Sequence, residues 1–321
     1  MNEFELIRDY FARQPVRRAD VVVGIGDDAA VLDPPAGCQL VVSTDMLVSG
    51  VHFPESTAPA AVGYKALAVN LSDLAAMGAS PAWFTLNLSL PSANSGWLEG
   101  FCAGLFGLAG PFGLQLVGGD TTRGPLTVGI QIAGFVPRGQ ALLRSGAQPG
   151  DSVYVTGWLG DAALGLMCLR QELRLPEAER DQVIQRLERP VPRVHEGEML
   201  RGLASACIDI SDGLVADLGH VLEASGAGAS IELAALPLSS VYQAVRAQVG
   251  WNPAVARGDD YELCFTLPAQ RQSVLEAQAA RFGCGLRRIG VIEAQPGLRL
   301  MEPSGSVYRP DRQGFDHFRG V

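Results

Sequence analysis

The sequence predicts a mixed α/β fold in two domains. Three observations point there. The chain has 321 residues, 47% of them hydrophobic, enough for more than one core. Two segments alternate strictly: Trp83–Leu90, and Leu126–Phe135 with Leu126, Val128, Ile130 and Ile132 on one face. Between and around them lie stretches rich in alanine and leucine with helical patterning.

In chain order, residues 2–13 read as a first helix. The apolar run Val21–Val23 ends in Gly-Ile-Gly-Asp-Asp at 24–28, a strand closed by a turn. A second apolar run, 39–43, meets the polar pair Thr44 and Asp45. Residues 58–77 read as a long helix and 96–108 as another. The turn chemistry of Ser-Gly-Ala-Gln-Pro-Gly-Asp at 145–151 marks a boundary, so the domains are expected at 1–147 and 148–321. In the second, helices are expected near 161–170, 179–188, 212–225, 239–248 and 269–281. Strands are expected near 152–156, 206–210, 229–233, 261–267 and 286–292.

A net charge of −9 argues against nucleic acid as a partner. No apolar run is long enough for a membrane span, and the amino terminus lacks the basic and apolar regions of a secretion signal. The six cysteines form no CxxC pair and read as small hydrophobes of a cytoplasmic protein. Lys65 is the one lysine; every other basic residue is arginine.

The chemistry is carried by six aspartate-bearing turns at 24–28, 43–45, 70–73, 118–122, 209–212 and 258–260. Taken singly, each acid is an ordinary turn former or cap, and Ser211 would cap the helix after it. Asp73 fits that account least, because an acid inside an apolar helix needs a partner. Taken together, acids, hydroxyls and glycines form an oxygen-only ligand set suited to Mg²⁺, and the four histidines are too scattered for zinc. No Walker loop, full Rossmann fingerprint, protein-kinase motif pair or GxSxG elbow is present. Two phosphates about 4 Å apart repel by roughly 4 kcal/mol even in water. An acidic site for phosphates therefore needs several cations, supplied by arginines, helix starts and recruited metal.

In this order the motifs resemble the thiamine-monophosphate kinase family of the aminoimidazole ribonucleotide synthetase superfamily. Gly-Ile-Gly-Asp-Asp-Ala, Ser-Thr-Asp-Met-Leu-Val-Ser-Gly-Val-His-Phe, Asn-Leu-Ser-Asp-Leu-Ala-Ala-Met-Gly, Gly-Gly-Asp-Thr-Thr-Arg-Gly, Asp-Ile-Ser-Asp-Gly-Leu, Gly-Asp-Asp-Tyr-Glu-Leu and the closing Gly-Phe-Asp-His-Phe carry the likeness nearly end to end. It departs from the pattern at Arg257-Gly258, where two glycines are usual, and at Phe315, where a relative carries Tyr or Trp.

The resemblance implies ATP-dependent phosphorylation of thiamine monophosphate to thiamine diphosphate, the last step in making that cofactor, by direct Mg²⁺-assisted in-line transfer with no general base. It implies that Asp28, Ser43, Thr44, Asp45, Asp73, Asp120, Asp209 and Asp212 hold Mg²⁺ ions. Gly119, Asp120, Arg144 and Ser211 would contact ATP. His52, Asp259 or Asp260, and Phe315 would contact thiamine monophosphate. It also implies an N-terminal sheet that pairs across a homodimer, in line with the second, mixed faces of Trp83–Leu90 and Leu126–Phe135. Three alternatives stay open: another ATP-using member of the superfamily resembling aminoimidazole ribonucleotide synthetase; a selenophosphate synthetase, which would want a reactive Cys and a Lys near the start, where residues 1–37 hold neither; and a non-enzymatic divalent-metal binding protein.

Overall fold

The computed structural model describes residues 3–12 and 17–315. The chain forms two compact units: residues 1–74 with 79–139, and residues 75–78 with 140–321.

The first unit opens with α1 (Glu3–Leu6), continued by a wider turn at Ile7–Phe11. Arg13, the expected end of that helix, lies outside the described residues. Next come β1 (Val21–Val23), β2 (Val31–Leu32), β3 (Cys38–Val48), α2 (Pro59–Ala76), β4 (Ser80–Leu90), α3 (Ser95–Ala109), β5 (Gln115–Arg123) and β6 (Thr127–Pro137). The four longer strands make one sheet in the order β3-β6-β4-β5. Only the β4–β5 pair within it is parallel. Helices α2 and α3 touch through glycine. A Cβ on Gly104 would sit 1.9 Å from the Ala60 carbonyl oxygen, and one on Gly63 2.1 Å from that of Phe101.

Three expectations change here. The apolar run at 39–43 does not stop at Thr44. It continues to Val48, paired residue by residue with β6, so the Ser-Thr-Asp motif lies inside a strand. Gly-Gly-Asp-Thr-Thr likewise sits within β5 and not in a turn, with Asp120 opposite Asn87 of β4. The excess apolar surface also lies elsewhere. β4 and β6 are largely buried, whereas edge strand β3 exposes Leu40 (51%), Val42 (50%) and Met46 (63%) in alternation.

In the second unit the strands are β7 (Ser152–Thr156), β8 (Ala206–Asp209), β9 (Gly228–Glu232), β10 (Leu263–Leu267), β11 (Leu286–Glu293), β12 (Gly297–Met301) and β13 (Val307–Tyr308). Among the described residues they form one sheet, β13-β12-β9-β11-β7-β10-β8, antiparallel except at β12–β9. The helices are α4 (Asp161–Leu169), α5 (Glu177–Glu188), α6 (Val194–Met199), α7 (Leu214–Ser225), α8 (Ser240–Val249), α9 (Asn252–Val255) and α10 (Gln272–Gln278). Val153, Val155, Ile208, Ala229, Ile231 and Ile289 pack with Leu214, Leu218 and Val221 of α7 in its core. The sequence reading of this half lacked β12, β13, α6 and α9, all short.

A buried ion pair fixes the start of β10. Arg193 donates from Nε to Glu262 Oε2 at 2.6 Å and from Nη2 to Oε1 at 2.5 Å, and Thr156 Oγ1 donates to the same carboxylate at 2.6 Å. Residue 157 must be glycine there, because a Cβ would lie 1.9 Å from Glu262 Oε1. All six cysteines are unbridged; Cys207 and Cys264 are buried, and burial pushes both thiols up. Among the described residues no helix is long and apolar enough to cross a membrane.

Candidate functional site

Strand alternation sorts the motif on β3. Ser43 and Asp45 point inward with Leu47, while Thr44 shares the outer face with Val42 and Met46. Ser43 Oγ donates to Asp73 Oδ2 at 2.5 Å. The acid inside the apolar helix thus has its partner, and two motifs 30 residues apart meet. The Thr44 hydroxyl turns the other way and donates to the Ile130 carbonyl at 3.1 Å. Its side chain does not join the Ser43–Asp73 pair; only its backbone lies on that course.

Asp28 sits in an exposed turn whose amide is held by Asp27 Oδ1 at 2.9 Å. Asp120, also exposed, lies on the opposite sheet edge from Asp45, with β6 and β4 between them. Beside it Gly119 takes φ +141°, and a Cβ would meet the Leu86 carbonyl oxygen at 1.9 Å. The strand can make that approach only with glycine. His52 Nδ1 accepts the Val48 amide at 2.9 Å, so the neutral ring carries its proton on Nε2. Lys65 is 3% exposed and donates to the His52 carbonyl at 3.3 Å. The one lysine braces the His52 loop.

In the second unit β8 ends at Asp209, which is buried, and the chain turns through Ser211 and Asp212 into α7. The residue that shapes this turn is Asp217, which sequence reasoning missed. Its Oδ2 accepts the amides of Ser211, Asp212 and Gly213, each at 3.0 Å. Ser211 is therefore not the cap of α7; an acid in the first turn of the helix takes the open amides. That signal was available: Asp217 stands four residues past Gly213. Burial raises the Asp217 carboxyl to about 7, the charge of Asp212 adds to the rise, and the three amides oppose it.

Two further segments are stitched to the same turn. The Asp259 amide donates to the Ser211 carbonyl at 2.9 Å, and the Phe315 amide to the Asp212 carbonyl at 3.2 Å. Gly258 lies so close that a Cβ would be 1.9 Å from the Ser211 oxygen, so this glycine is retained although Arg257 replaces its usual neighbour. Asp259 and Tyr261 hold φ of +70° and +50°, a left-handed backbone that costs on the order of 1 kcal/mol per non-glycine residue. Phe315 is 41% exposed. Asp316, His317 and Phe318 of the closing motif lie outside the described residues.

The paired acids part company. Asp259 follows the Ser211 turn, whereas both carboxylate oxygens of Asp260 accept the Gly160 amide at 3.0 Å. Burial drives the Asp260 carboxyl well above the usual range, and the neighbouring charges of Asp161, Glu262 and Asp259 add to that. Arg144 is exposed, on a loop whose later amides, Gly146 and Ala147, donate to Ser225 Oγ at 3.1 Å.

These residues present carboxylate, hydroxyl and carbonyl oxygens, the donors that a hard cation takes. Among the described residues no three His, Cys, Asp or Glu side chains converge as a closed metal cluster. Within each unit, such oxygens are of the kind taken by an ion that completes its shell with phosphate and water, as Mg²⁺ does.

With this geometry in place, the relatives of the chain can be stated. The model for the AIR synthase related protein N-terminal domain matches residues 26–136, and that for its C-terminal domain matches 148–302, so the chain belongs to the AIR synthase related protein family. It is 48% identical over 319 residues to the thiamine-monophosphate kinase of Escherichia coli (strain K12), covering 98% of each chain. The crystal structure of thiamine-monophosphate kinase from Stenotrophomonas maltophilia K279a superposes with a TM-score of 0.85 at 46% identity, covering 91% of this chain and 93% of that one. AaThiL complexed with AMPPCP and TMP superposes at 0.78 with 34% identity, covering 92% of each.

Replacing Asp217 tests the turn. Asp217→Ala leaves three amides without their acceptor and is expected to destabilise the protein by about 3 kcal/mol. Asp217→Asn, which keeps a neutral acceptor oxygen, should lose about half as much. Urea unfolding followed by circular dichroism measures both; equal stability of wild type and Asp217→Ala would contradict the anchoring role.

Proposed function

We propose that this protein transfers the γ-phosphoryl group of ATP to the phosphate of thiamine monophosphate, giving thiamine diphosphate. The observation that carries the reading is end-to-end likeness to thiamine-monophosphate kinases, joined to the Ser43–Asp73 contact that unites two acid motifs in one oxygen site. A relative of the same fold binds the ATP analogue AMPPCP together with TMP. The protein is a phosphotransferase with a phosphate as acceptor.

In the first unit, Asp28, Ser43, Asp45, Asp73 and Asp120 are the residues to hold Mg²⁺, with Thr44 acting through its backbone. In the second unit, Asp209 and Asp212 take that part. When bound, Mg²⁺ supplies the positive charge that lets phosphate groups lie beside carboxylates and offsets the charge developing in transfer. The chain's own residues position. Gly119 lets the β5 backbone approach a phosphate closely, and Arg144 offers a planar fork to phosphate oxygens. Ser211 presents its hydroxyl from a turn that Asp217 holds rigid.

Asp120 joins these ATP contacts. His52, Asp259 or Asp260, and Phe315 serve the acceptor, Phe315 by covering its cationic ring. The attacking atom is a phosphate oxygen whose last proton leaves with a pKa of about 6, so no base has to remove one. Alignment and charge neutralisation then supply the rate. Unbridged cysteines suit a cytoplasmic site of action.

Labelled ATP tests the acceptor. With γ-labelled ATP and Mg²⁺, label should enter thiamine diphosphate when thiamine monophosphate is supplied, and no product should form from thiamine alone. Asp73→Asn should lower that transfer by at least about 100-fold with the fold retained. Label in thiamine monophosphate when only thiamine is given would overturn the base-free reading.

The assembly proposed is a homodimer joined through β3. A long edge strand with Leu40, Val42 and Met46 exposed in a row is open to pairing or packing with a second copy. Light scattering should give twice the chain mass of 33.9 kDa, and Val42→Glu/Met46→Glu should bring it to one chain. A single-chain mass for the wild type at micromolar concentration would contradict the dimer.

A further inference from the structure

The second unit holds an acid for which the phosphate chemistry has no use. Asp161, the first residue of α4, is 2% exposed. Ser239 Oγ donates to its Oδ1 at 2.6 Å, yet among the described residues its Oδ2 is buried and meets no hydrogen-bond partner. A buried carboxylate oxygen left so is penalised, and a ligand donor would remove that penalty. Asp161 lines a small recess with Trp158, Arg186, Asp259, Asp260 and Glu262.

The neighbours of Asp161 are held in place. Gly160 takes φ +85° and donates to Asp260, and a Cβ on it would lie 2.5 Å from the Tyr242 ring and 2.9 Å from Ala254 Cα. Ser239 also caps α8 by accepting the Tyr242 amide at 3.1 Å. The carboxylate of Glu262 is taken by Arg193 and Thr156, and that of Asp260 by Gly160. Oδ2 of Asp161 is thus the acceptor among these whose demand the fold leaves unmet. Burial raises its carboxyl, while Ser239 and the charge of Arg186 lower it. Arg186 makes no hydrogen bond to Oδ2.

With Glu262 already paired to Arg193, the acids Asp161, Asp259 and Asp260 set against Arg186 favour a ligand that is cationic or rich in N–H donors. Trp158, 45% exposed, offers a ring face for stacking. A metal ion suits the recess poorly, since no metal-like group of three acids forms among the described residues. A phosphate suits it worse, by charge.

We infer that Asp161 is a specificity residue for the heterocyclic end of the acceptor: its Oδ2 accepts a hydrogen bond from the exocyclic amine of an aminopyrimidine that stacks on Trp158. The inference rests on thiamine monophosphate being the acceptor, whose non-phosphate end carries such an amine beside a cationic ring. It gives the molecule two recognition chemistries, metal and arginine for the phosphate end, buried carboxylate and indole for the base end.

Asp161→Asn keeps the shape and the Ser239 bond but can turn an N–H toward the amine. The Michaelis constant for thiamine monophosphate should rise at least about tenfold, with kcat held within about threefold and the constant for ATP within about twofold. The analogue bearing a carbonyl oxygen in place of the exocyclic amine gives a second readout. Wild type should disfavour it by at least about tenfold in kcat/KM, and Asp161→Asn by less than about threefold. Trp158→Ala, a change at a half-exposed site, should raise the same Michaelis constant and serves if Asp161→Asn fails to fold. Unchanged constants in a folded variant, or equal discrimination by wild type and variant, would overturn the inference while the kinase reading stands. A wild type that leaves thiamine monophosphate unphosphorylated would instead overturn the reading on which it rests.

Discussion

Carboxylates and phosphates repel, and a protein that sets one beside the other depends on cations between them. That constraint accounts for the way this chain spends its acids. Asp73 is placed on the inner side of a buried helix, where an unpartnered acid would be costly, and is met by a hydroxyl from β3 at 2.5 Å. Lys65, the one side chain that could have neutralised a phosphate as a simple ammonium, is buried under the His52 loop. With the lysine committed elsewhere, recruited divalent metal and arginine remain as the sources of positive charge.

The second unit obeys the same constraint by another route. The turn after β8 is built from backbone, and a single oxygen of Asp217 gathers three amides to fix where Ser211 and Asp212 stand. Gly258 and the backbone at 314–315 then close against that turn. The left-handed residues at 259 and 261 are the strain that this closure costs. Beside it the Arg193–Glu262 pair locks the segment from below.

Much of this was legible in the sequence. Alternation located β4 and β6, alanine-rich patterning located α2, and the isolation of Asp73 among leucines announced a contact that the fold supplies. What misled was polarity inside strands. Thr44, Asp45 and the 118–122 motif look like turns because polar side chains and close-approach glycines interrupt an apolar run, yet register with β6 and β4 keeps them in the sheet. Thr44 was grouped with Ser43 and Asp45, and strand period places its side chain on the other face. Partners distant along the chain left no local trace. Ser239 reaches Asp161 across 78 residues, and Arg193 reaches Glu262 across 69. Asp217 did leave one, as an acid in the first turn of a helix.

The central claim is that metal ions join these acids to the transferring phosphoryl group. Sulfur substitution at a non-bridging γ-oxygen of ATP tests it directly, because Mg²⁺ binds sulfur poorly and Cd²⁺ binds it well. Transfer to thiamine monophosphate from the thio analogue should fall by at least about tenfold with Mg²⁺ and recover with Cd²⁺, while ordinary ATP shows no such preference for Cd²⁺. An identical loss with both metals, or no loss with Mg²⁺, would contradict metal contact at the reacting phosphate.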